Sequence, residues 1–113
     1  MIKKNLLILI PARAGSKSIK NKNLLIYKNK KLIVHSFLAS RIIKEKSKEI
    51  YCTTNSKKIK KIALKEGIKA NPLRPSIFCK DLSRDIEFVN HALKVFFNLN
   101  ITFKNGLILR PTN

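Results

Sequence analysis

Residues 6–23 read Leu6-Leu-Ile-Leu-Ile-Pro-Ala-Arg-Ala-Gly-Ser-Lys-Ser-Ile-Lys-Asn-Lys-Asn23, an apolar run followed at once by a basic loop. The run is short and does not alternate with polar residues, which is typical of a parallel strand buried on both faces. Pro11 ends it. Because open α/β sheets bind ligands beyond the carboxyl ends of their strands, we expect the loop after Pro11 to lie at a binding site.

The loop carries groups that suit a polyphosphate. Its cations are Arg13, Lys17, Lys20 and Lys22. Gly15 lets the backbone come close to a ligand, and Ser16 adds N–H and hydroxyl donors. The loop matches neither a P-loop nor a dinucleotide fingerprint. The residues alone therefore leave two interpretations open, an anion site and an ordinary solvated loop in a lysine-rich chain.

Beyond the loop, predicted helices and strands alternate. Helices are predicted from Leu32 to about Lys46, from the Ser56 cap to Glu66, and from the Ser83 cap to about Phe97. Strands are predicted at Leu6–Ile10, Glu49–Thr53, Lys69–Asn71 and Leu107–Leu109. Turns are predicted at Tyr27–Lys31 and Asn105-Gly106, and Gly67 is placed just beyond the second helix. The inner face of the third helix is assigned to Ile86, Val89, Ala92 (or Leu93) and Phe96.

This alternation predicts an α/β fold with a mostly parallel sheet, and 113 residues allow one small domain at most. The chain has 25 basic and six acidic residues, a net charge of +19. The lysines are scattered over predicted helix faces, without a recognition helix, interleaved aromatics or a zinc pattern. Nucleic acid is therefore not the expected partner, although the field would attract a nucleoside triphosphate or an acidic sugar.

No apolar run approaches the 18 residues of a membrane span, and the start does not have the pattern of a secretory signal. We therefore expect a cytoplasmic location and no membrane partner. Cys52 and Cys79 lack metal-site spacing, so no metal ligands are predicted and both thiols are expected to be reduced.

The opening motif resembles the amino-terminal signature of the acylneuraminate cytidylyltransferases, the synthetases of CMP-sialic acid and related acidic sugars. It consists of Ile10-Pro-Ala-Arg-Ala-Gly-Ser-Lys17 and Lys22-Asn23. Further matches follow in the family's order, at Thr53-Thr-Asn55, Ile62-Ala63, Gly67, Leu73-Arg-Pro75, Asp81, His91-Ala-Leu93 and Leu109-Arg-Pro-Thr112. The resemblance covers nearly all of the chain, whereas family members are considerably longer.

The resemblance implies a Rossmann-like, mostly parallel sheet of the nucleotide-diphospho-sugar transferase type, truncated here. Residues 1–113 would then form a single partial domain, the CTP-binding half of a nucleotidyltransferase. The implied reaction joins CTP to an acidic nine-carbon 2-keto sugar and releases pyrophosphate. Its nucleotide contacts would fall on Arg13, Ser16, Lys17, Lys22, Asn23 and Arg74. Arg13, Lys22 and Asn23 would also take part in catalysis, and Arg110 and Thr112 would bind the sugar.

The sequence departs from the family pattern at several of these positions. Ser18 and Lys20 stand where glycine and proline are usual, which is expected to loosen the loop. Asn55 stands where aspartate is common, and it also suits a simple turn. Arg74 can alternatively face solvent. His91 is interpreted as a partly buried helix residue rather than a catalytic base.

Mg²⁺ is the cofactor that the family implies, but its acidic ligands are not expected in this chain, because no Asp or Glu follows Glu87. Partners would include a separately encoded carboxyl-terminal half or a second copy, and the isolated chain is expected to show little turnover. Two alternatives remain. One is a 3-deoxy-manno-octulosonate cytidylyltransferase, whose opening usually carries Ser-Thr-Arg-x-Pro. The other is a non-enzymatic basic domain that binds nucleotide or nucleic acid.

Overall fold

The computed structural model describes residues 1–13, 22–75 and 85–111. Its elements in chain order are β1 (Ile2–Pro11), a 3₁₀ helix (Lys22–Leu24), β2 (Ile26–Tyr27), β3 (Lys30–Lys31), α1 (Leu32–Arg41), β4 (Lys48–Thr53), α2 (Lys57–Lys65), α3 (Asp85–Phe97) and β5 (Ile101–Ile108). The mixed α/β fold with a parallel sheet is as predicted.

The main sheet has the order β4-β1-β5, and all of its pairings are parallel. Beyond β4, Lys69 forms a parallel bridge with Tyr51, and its carbonyl accepts the Cys52 N–H at 2.8 Å. The chain thus moves outward from β1 to β4 and Lys69, and then returns to place β5 on the other side of β1. This reversal puts the topological switch between β1 and β5, where doubly wound sheets bind ligands.

The two faces of the sheet carry separate cores. On one face, Ile8 and Ile10 of β1 pack with α1 and α2 in a cluster that includes Phe37 and Ala63. On the other face, Leu7, Leu9 and Tyr51 pack with Phe88, Ala92 and Phe96 of α3. Helices before and after the reversal lie on opposite faces, as right-handed crossovers require. The central strand is therefore buried on both sides, as its unalternating sequence predicts.

The α2 boundaries agree with the sequence prediction. The Ser56 hydroxyl accepts the Ile59 N–H at 3.1 Å, which caps the amino end of the helix. At the other end Gly67 adopts φ +77°, and the Ile68 N–H donates to the Ala63 carbonyl at 2.8 Å. A left-handed residue beyond the last turn is the usual use of glycine at a helix end.

The predicted turn at Asn105-Gly106 is wrong, because both residues lie inside β5. Asn105 pairs with Leu6 and Gly106 pairs with Leu7, so their backbone groups belong to the β1 ladder. Strand pairing along most of β1 outweighs the local turn preference of the dipeptide. β1 itself begins at Ile2, earlier than predicted, because Ile2–Lys4 pair with Ile101–Phe103.

Three further boundaries or faces differ from the prediction. α1 ends at Arg41, not near Lys46, and the Lys48 ammonium donates to the Arg41 and Ile43 carbonyls beyond its end. Residues 69–71 contribute the single bridge at Lys69 and no strand. On α3, Phe88 is buried and Ile86 is 54% exposed, because two apolar stripes run along this helix and the one containing Phe88 meets the sheet.

The predicted turn at residues 27–31 is a hairpin in which β2 and β3 pair antiparallel around Lys28 and Asn29. Cys52 is a fully buried free thiol, as expected, and Cys79 lies outside the described residues. Within the described residues, no helix is both long and apolar enough to cross a bilayer.

Candidate functional site

The carboxyl ends of β1, β4 and β5 lie at one edge of the sheet, because the three strands are parallel and in register. β1 ends at Pro11 and is followed by buried Ala12 and half-buried Arg13. On the neighbouring strand the Leu109 N–H donates to the Leu9 carbonyl at 2.8 Å, and Arg110 follows directly. Arg13 and Arg110 therefore leave adjacent strands on the two sides of the topological switch.

Arg74 is buried at the end of β4, with only 5% of its surface exposed. Its Nε donates to the Thr53 hydroxyl at 3.0 Å, and its Nη2 donates to the Thr53 carbonyl at 2.7 Å. Its own backbone N–H donates to the Thr54 carbonyl at 2.7 Å. The guanidinium also lies over the Phe88 ring, 5.0 Å from the centroid. The solvent-facing alternative for Arg74 is therefore wrong.

The Thr53 carbonyl also accepts the Ala12 N–H at 3.0 Å. One buried oxygen thus joins the end of β1, the end of β4 and the segment that carries Arg74. Ala12 is the residue from which the basic loop departs, so this junction lies at the root of the predicted phosphate site. Neither the composition nor the spacing of the sequence singles out Thr53 for this position, since threonine in a strand is expected for its β propensity alone.

Asn23 is half-buried in the 3₁₀ helix, next to Leu24, which packs against the core on the α1 face. The hairpin that follows is tied to the start of α1, because the Leu32 N–H donates to the Leu25 carbonyl at 2.9 Å. The structure thus holds Asn23 in ordered secondary structure beside the core. Ser16, Lys17, the Lys22 side chain, Asp81 and Thr112 lie outside what the structure describes.

Arg110 forms an ion pair with Asp85, the first residue of α3. Both side chains are partly exposed, 42% for Arg110 and 55% for Asp85. The carboxylate lies in the first turn of α3, where the helix dipole favours negative charge. Asp85 therefore combines a favourable position at the start of the helix with an ion pair to a predicted sugar-site residue, a contact that the sequence does not indicate.

His91 is half-buried on α3, two turns from the ion pair. Burial lowers its pKa from the ordinary value, and the positive charges of Arg74 and Lys94 lower it further. A neutral imidazole at pH 7 follows. This agrees with the expectation of a partly buried helix histidine.

The described residues do not fit a magnesium cage. No group of three Asp, Glu, His or Cys side chains gathers anywhere in the parts of the chain that the structure describes. Glu49 is paired with two lysines and Asp85 with Arg110. Because the described residues gather no such ligand group, we assign no step to the ion.

Known proteins resemble this chain over most of its length. The model of a family described as cytidylyltransferase matches residues 7–104. CMP-N,N'-diacetyllegionaminic acid synthase of Legionella pneumophila is 34% identical over 96% of the chain and 46% of its own length. N-acylneuraminate cytidylyltransferase of Escherichia coli is 31% identical over 96% of the chain and 24% of its own length. Pseudaminic acid cytidylyltransferase of Campylobacter jejuni is 33% identical, again over 96% of the chain and 46% of that protein.

Among solved structures, a CMP:2-keto-3-deoxy-manno-octonic acid synthetase complexed with CTP is similar in fold, with a TM-score of 0.54 and 20% sequence identity. The similarity covers 80% of this chain and 48% of that one. The chain therefore spans less than half of the length of each of these relatives.

Proposed function

This chain belongs to the cytidylyltransferase family, and from that premise we propose that it supplies the CTP-binding half of an enzyme that activates an acidic nine-carbon sugar. The reaction would join CMP to a sialic-acid-like 2-keto sugar and release pyrophosphate. The observation that carries the proposal is the position of Arg13 and Arg110 at the carboxyl ends of adjacent strands, on the two sides of the topological switch.

In the proposed reaction, the anomeric hydroxyl of the sugar attacks the α-phosphorus of CTP. The chain's contribution is positioning and charge, which dominate catalysis of phosphoryl-type transfers. Arg13 leaves β1 next to the triphosphate and stabilises the negative charge that grows on the departing pyrophosphate. Ser16, Lys17 and Lys22 hold the phosphates, and Asn23 donates an uncharged hydrogen bond near the reacting phosphorus.

Two further arginines complete the proposed site. The bonds of Arg74 to Thr53 hold its guanidinium plane in the unliganded protein, so in the proposed site it would add positive charge near the nucleotide without having to be ordered on binding. Arg110, together with Thr112, faces the sugar. A guanidinium recognises the sugar carboxylate by two parallel hydrogen bonds, a geometry that lysine cannot provide.

We propose that more protein covers β5. Of the described residues, only those of β1 pair with this strand, and its apolar residues Leu107 and Ile108 are 40% and 36% exposed. Parallel strands are normally buried on both faces and paired on both edges. Further residues of the same protein, a separately encoded half, or a second copy would supply the covering strand, the rest of the sugar pocket and the Mg²⁺ ligands.

The proposal is tested by titrating the protein with CTP, ATP and a DNA oligomer at two salt concentrations. We expect selective binding of CTP. Arg13→Glu should weaken CTP binding at least about tenfold, because it replaces a charge-assisted hydrogen bond by repulsion. Lys58→Glu is the matched control, since Lys58 is exposed on α2 and the same charge change there should have little effect.

Two results would contradict the proposal. One is equal CTP affinity for Arg13→Glu and the unaltered protein. The other is equal binding of CTP and ATP together with oligomer binding that falls steeply with salt, which would favour the non-enzymatic alternative. Enzymatic activity is measured as pyrophosphate release from CTP and sugar in the presence of Mg²⁺, with and without a carboxyl-terminal half from a relative.

A further inference from the structure

We propose that Thr53 is a positioning residue, which couples the bound state of Arg74 to the backbone at the root of the basic loop. The inference deepens the proposed function and rests on it for its functional meaning. The carbonyl of Thr53 accepts the Ala12 N–H at 3.0 Å and Arg74 Nη2 at 2.7 Å, while its hydroxyl accepts Arg74 Nε at 3.0 Å.

The guanidinium is bound along one edge, because its Nε and Nη2 donate hydrogen bonds to two oxygens of one residue. The same two donors form the fork that arginine offers to a carboxylate, but here a neutral residue occupies it. Thr53 is fully buried and Arg74 nearly so. Water therefore cannot replace these acceptors, and both lone pairs of the Thr53 carbonyl are in use.

The Thr53 hydroxyl is not needed for the formation or the packing of β4. Valine has the same shape and an equal or better preference for a buried strand. The next residue, Thr54, is also fully buried, but its hydroxyl accepts the Ser56 N–H at 3.0 Å and so supports the start of α2. Two adjacent buried threonines thus serve different segments, which makes Thr54 a matched control for Thr53.

The coupling follows from the shared carbonyl. The guanidinium hydrogen bond to this oxygen and the Ala12 N–H bond both depend on the orientation of the Thr53 peptide, which the two bonds to Arg74 hold in place. Any shift of Arg74 that accompanies nucleotide binding is therefore transmitted to Ala12, the residue before Arg13. In the unliganded protein the same bonds fix the backbone at Ala12, where the loop begins. This reduces the conformational entropy that the protein loses when it binds nucleotide.

The test uses Thr53→Val, with Thr53→Ser as the variant that restores the hydroxyl and Thr54→Val as the control. The first measurement is the amide hydrogen-exchange rate of Ala12 in the absence of nucleotide, relative to that of Ile8 in the middle of β1. We expect Thr53→Val to accelerate Ala12 exchange relative to Ile8 by about tenfold or more, as loss of one charge-assisted bond predicts. Thr53→Ser should restore the rate, and Thr54→Val should leave it unchanged.

The second measurement is CTP affinity, which we expect to fall several-fold in Thr53→Val and to recover in Thr53→Ser. An unchanged Ala12 rate, or a serine variant that behaves like valine, would overturn the coupling. Faster Ala12 exchange with unaltered CTP affinity would overturn the positioning role while leaving the proposed function intact. Faster Ala12 exchange in a protein that binds no CTP in any form would instead support the coupling and reject the proposed function.

If Thr53→Val does not fold, Arg74→Lys provides the second route. Lysine keeps the positive charge but cannot bond the hydroxyl and the carbonyl as a fork. The same acceleration of Ala12 exchange relative to Ile8 is then expected, and its absence would overturn the inference.

Discussion

The guanidinium of Arg110, two residues beyond β5, is bonded to the carboxylate of Asp85, the first residue of α3. The pair links the segment after β5 to the start of α3, the helix that packs on the Leu7, Leu9 and Tyr51 face of the sheet. If Arg110 binds a sugar carboxylate as proposed, that carboxylate would have to displace Asp85 from the guanidinium. On that proposal the ion pair would compete with the substrate.

We predict that Asp85→Asn strengthens binding of a sialic-acid-like sugar several-fold, because the arginine no longer has to leave an internal partner. Both side chains are partly exposed to solvent, so the free energy of unfolding should fall by no more than about 1 kcal/mol. N-acetylneuraminate binding in the presence of CTP, measured by calorimetry, checks the first expectation. Arg110→Ala should abolish the gain when combined with Asp85→Asn. Tighter binding in that double variant would mean that Asp85 acts on the sugar independently of Arg110.

The sequence predicts elements of this fold wherever local signals and tertiary packing agree. Ser56 and Gly67 bound α2 as expected, because a cap and a left-handed glycine act through their own neighbours along the chain. Asn105-Gly106 misleads, because a local turn preference is outweighed by pairing with a strand almost 100 residues away. Ile86 misleads for a related reason, since two apolar stripes on one helix can be distinguished only by what packs against them.

The candidate site shows the same limit. Arg13 and Arg110 are predicted from motifs, and their placement at strand ends follows from the alternation of strands and helices. The burial of Arg74 is not predictable in this way, since it depends on the Thr53 oxygens and the Phe88 ring, which come from β4 and α3. A hydrogen bond between distant segments leaves no periodic signal in a single sequence.

Glu49 provides a test of stability that is separate from the site. It is nearly buried on β4, and its carboxylate bonds both Lys4 of β1 and Lys69 at the outer edge of the sheet. Burial raises the pKa of Glu49, but the hydrogen bonds and charges of the two lysines outweigh it and leave the pKa below the ordinary value. We predict that Glu49→Gln lowers the free energy of unfolding by about 1–3 kcal/mol at pH 7.

The pH dependence of this loss has a defined sign. A carboxyl group whose pKa is lowered by folding stabilises the protein above its unfolded pKa, near 4.3, and that contribution disappears as the pH falls through the folded value. Urea unfolding at pH 7 and at pH 3 should therefore show a difference between the unaltered protein and Glu49→Gln that shrinks in acid. Glu66→Gln, at the end of α2, is the control and should show little loss at either pH. A difference that stays constant from pH 7 to pH 3 would contradict the ion-pair explanation.

Cys52 is expected to be unreactive in the folded protein. It is fully buried, and burial raises the pKa of its thiol to about 12, so that almost no thiolate exists near pH 8. In a Cys79→Ser background, a disulfide reagent should modify Cys52 only at the rate at which the structure opens. The same chain in concentrated guanidinium should react at once and completely. Rapid reaction of the folded chain would show that β4 is accessible from solvent.

Two glycines allow the backbone to be tested with a matched pair of variants. At Gly67, φ is +77°, and an added Cβ would meet only the Arg41 guanidinium at 3.6 Å, an ordinary contact. The expected cost of Gly67→Ala, about 1 kcal/mol, therefore comes from the left-handed backbone and not from crowding.

At Gly106, inside β5, φ is not in the left-handed region, and a Cβ would lie 3.8 Å from the Leu7 carbonyl oxygen. Gly106→Ala should therefore leave the free energy of unfolding unchanged or raise it by a few tenths of a kcal/mol. Denaturant unfolding of the two variants distinguishes these effects, and equal destabilisation by both would refute the assignment of Gly67 as the left-handed residue that ends α2.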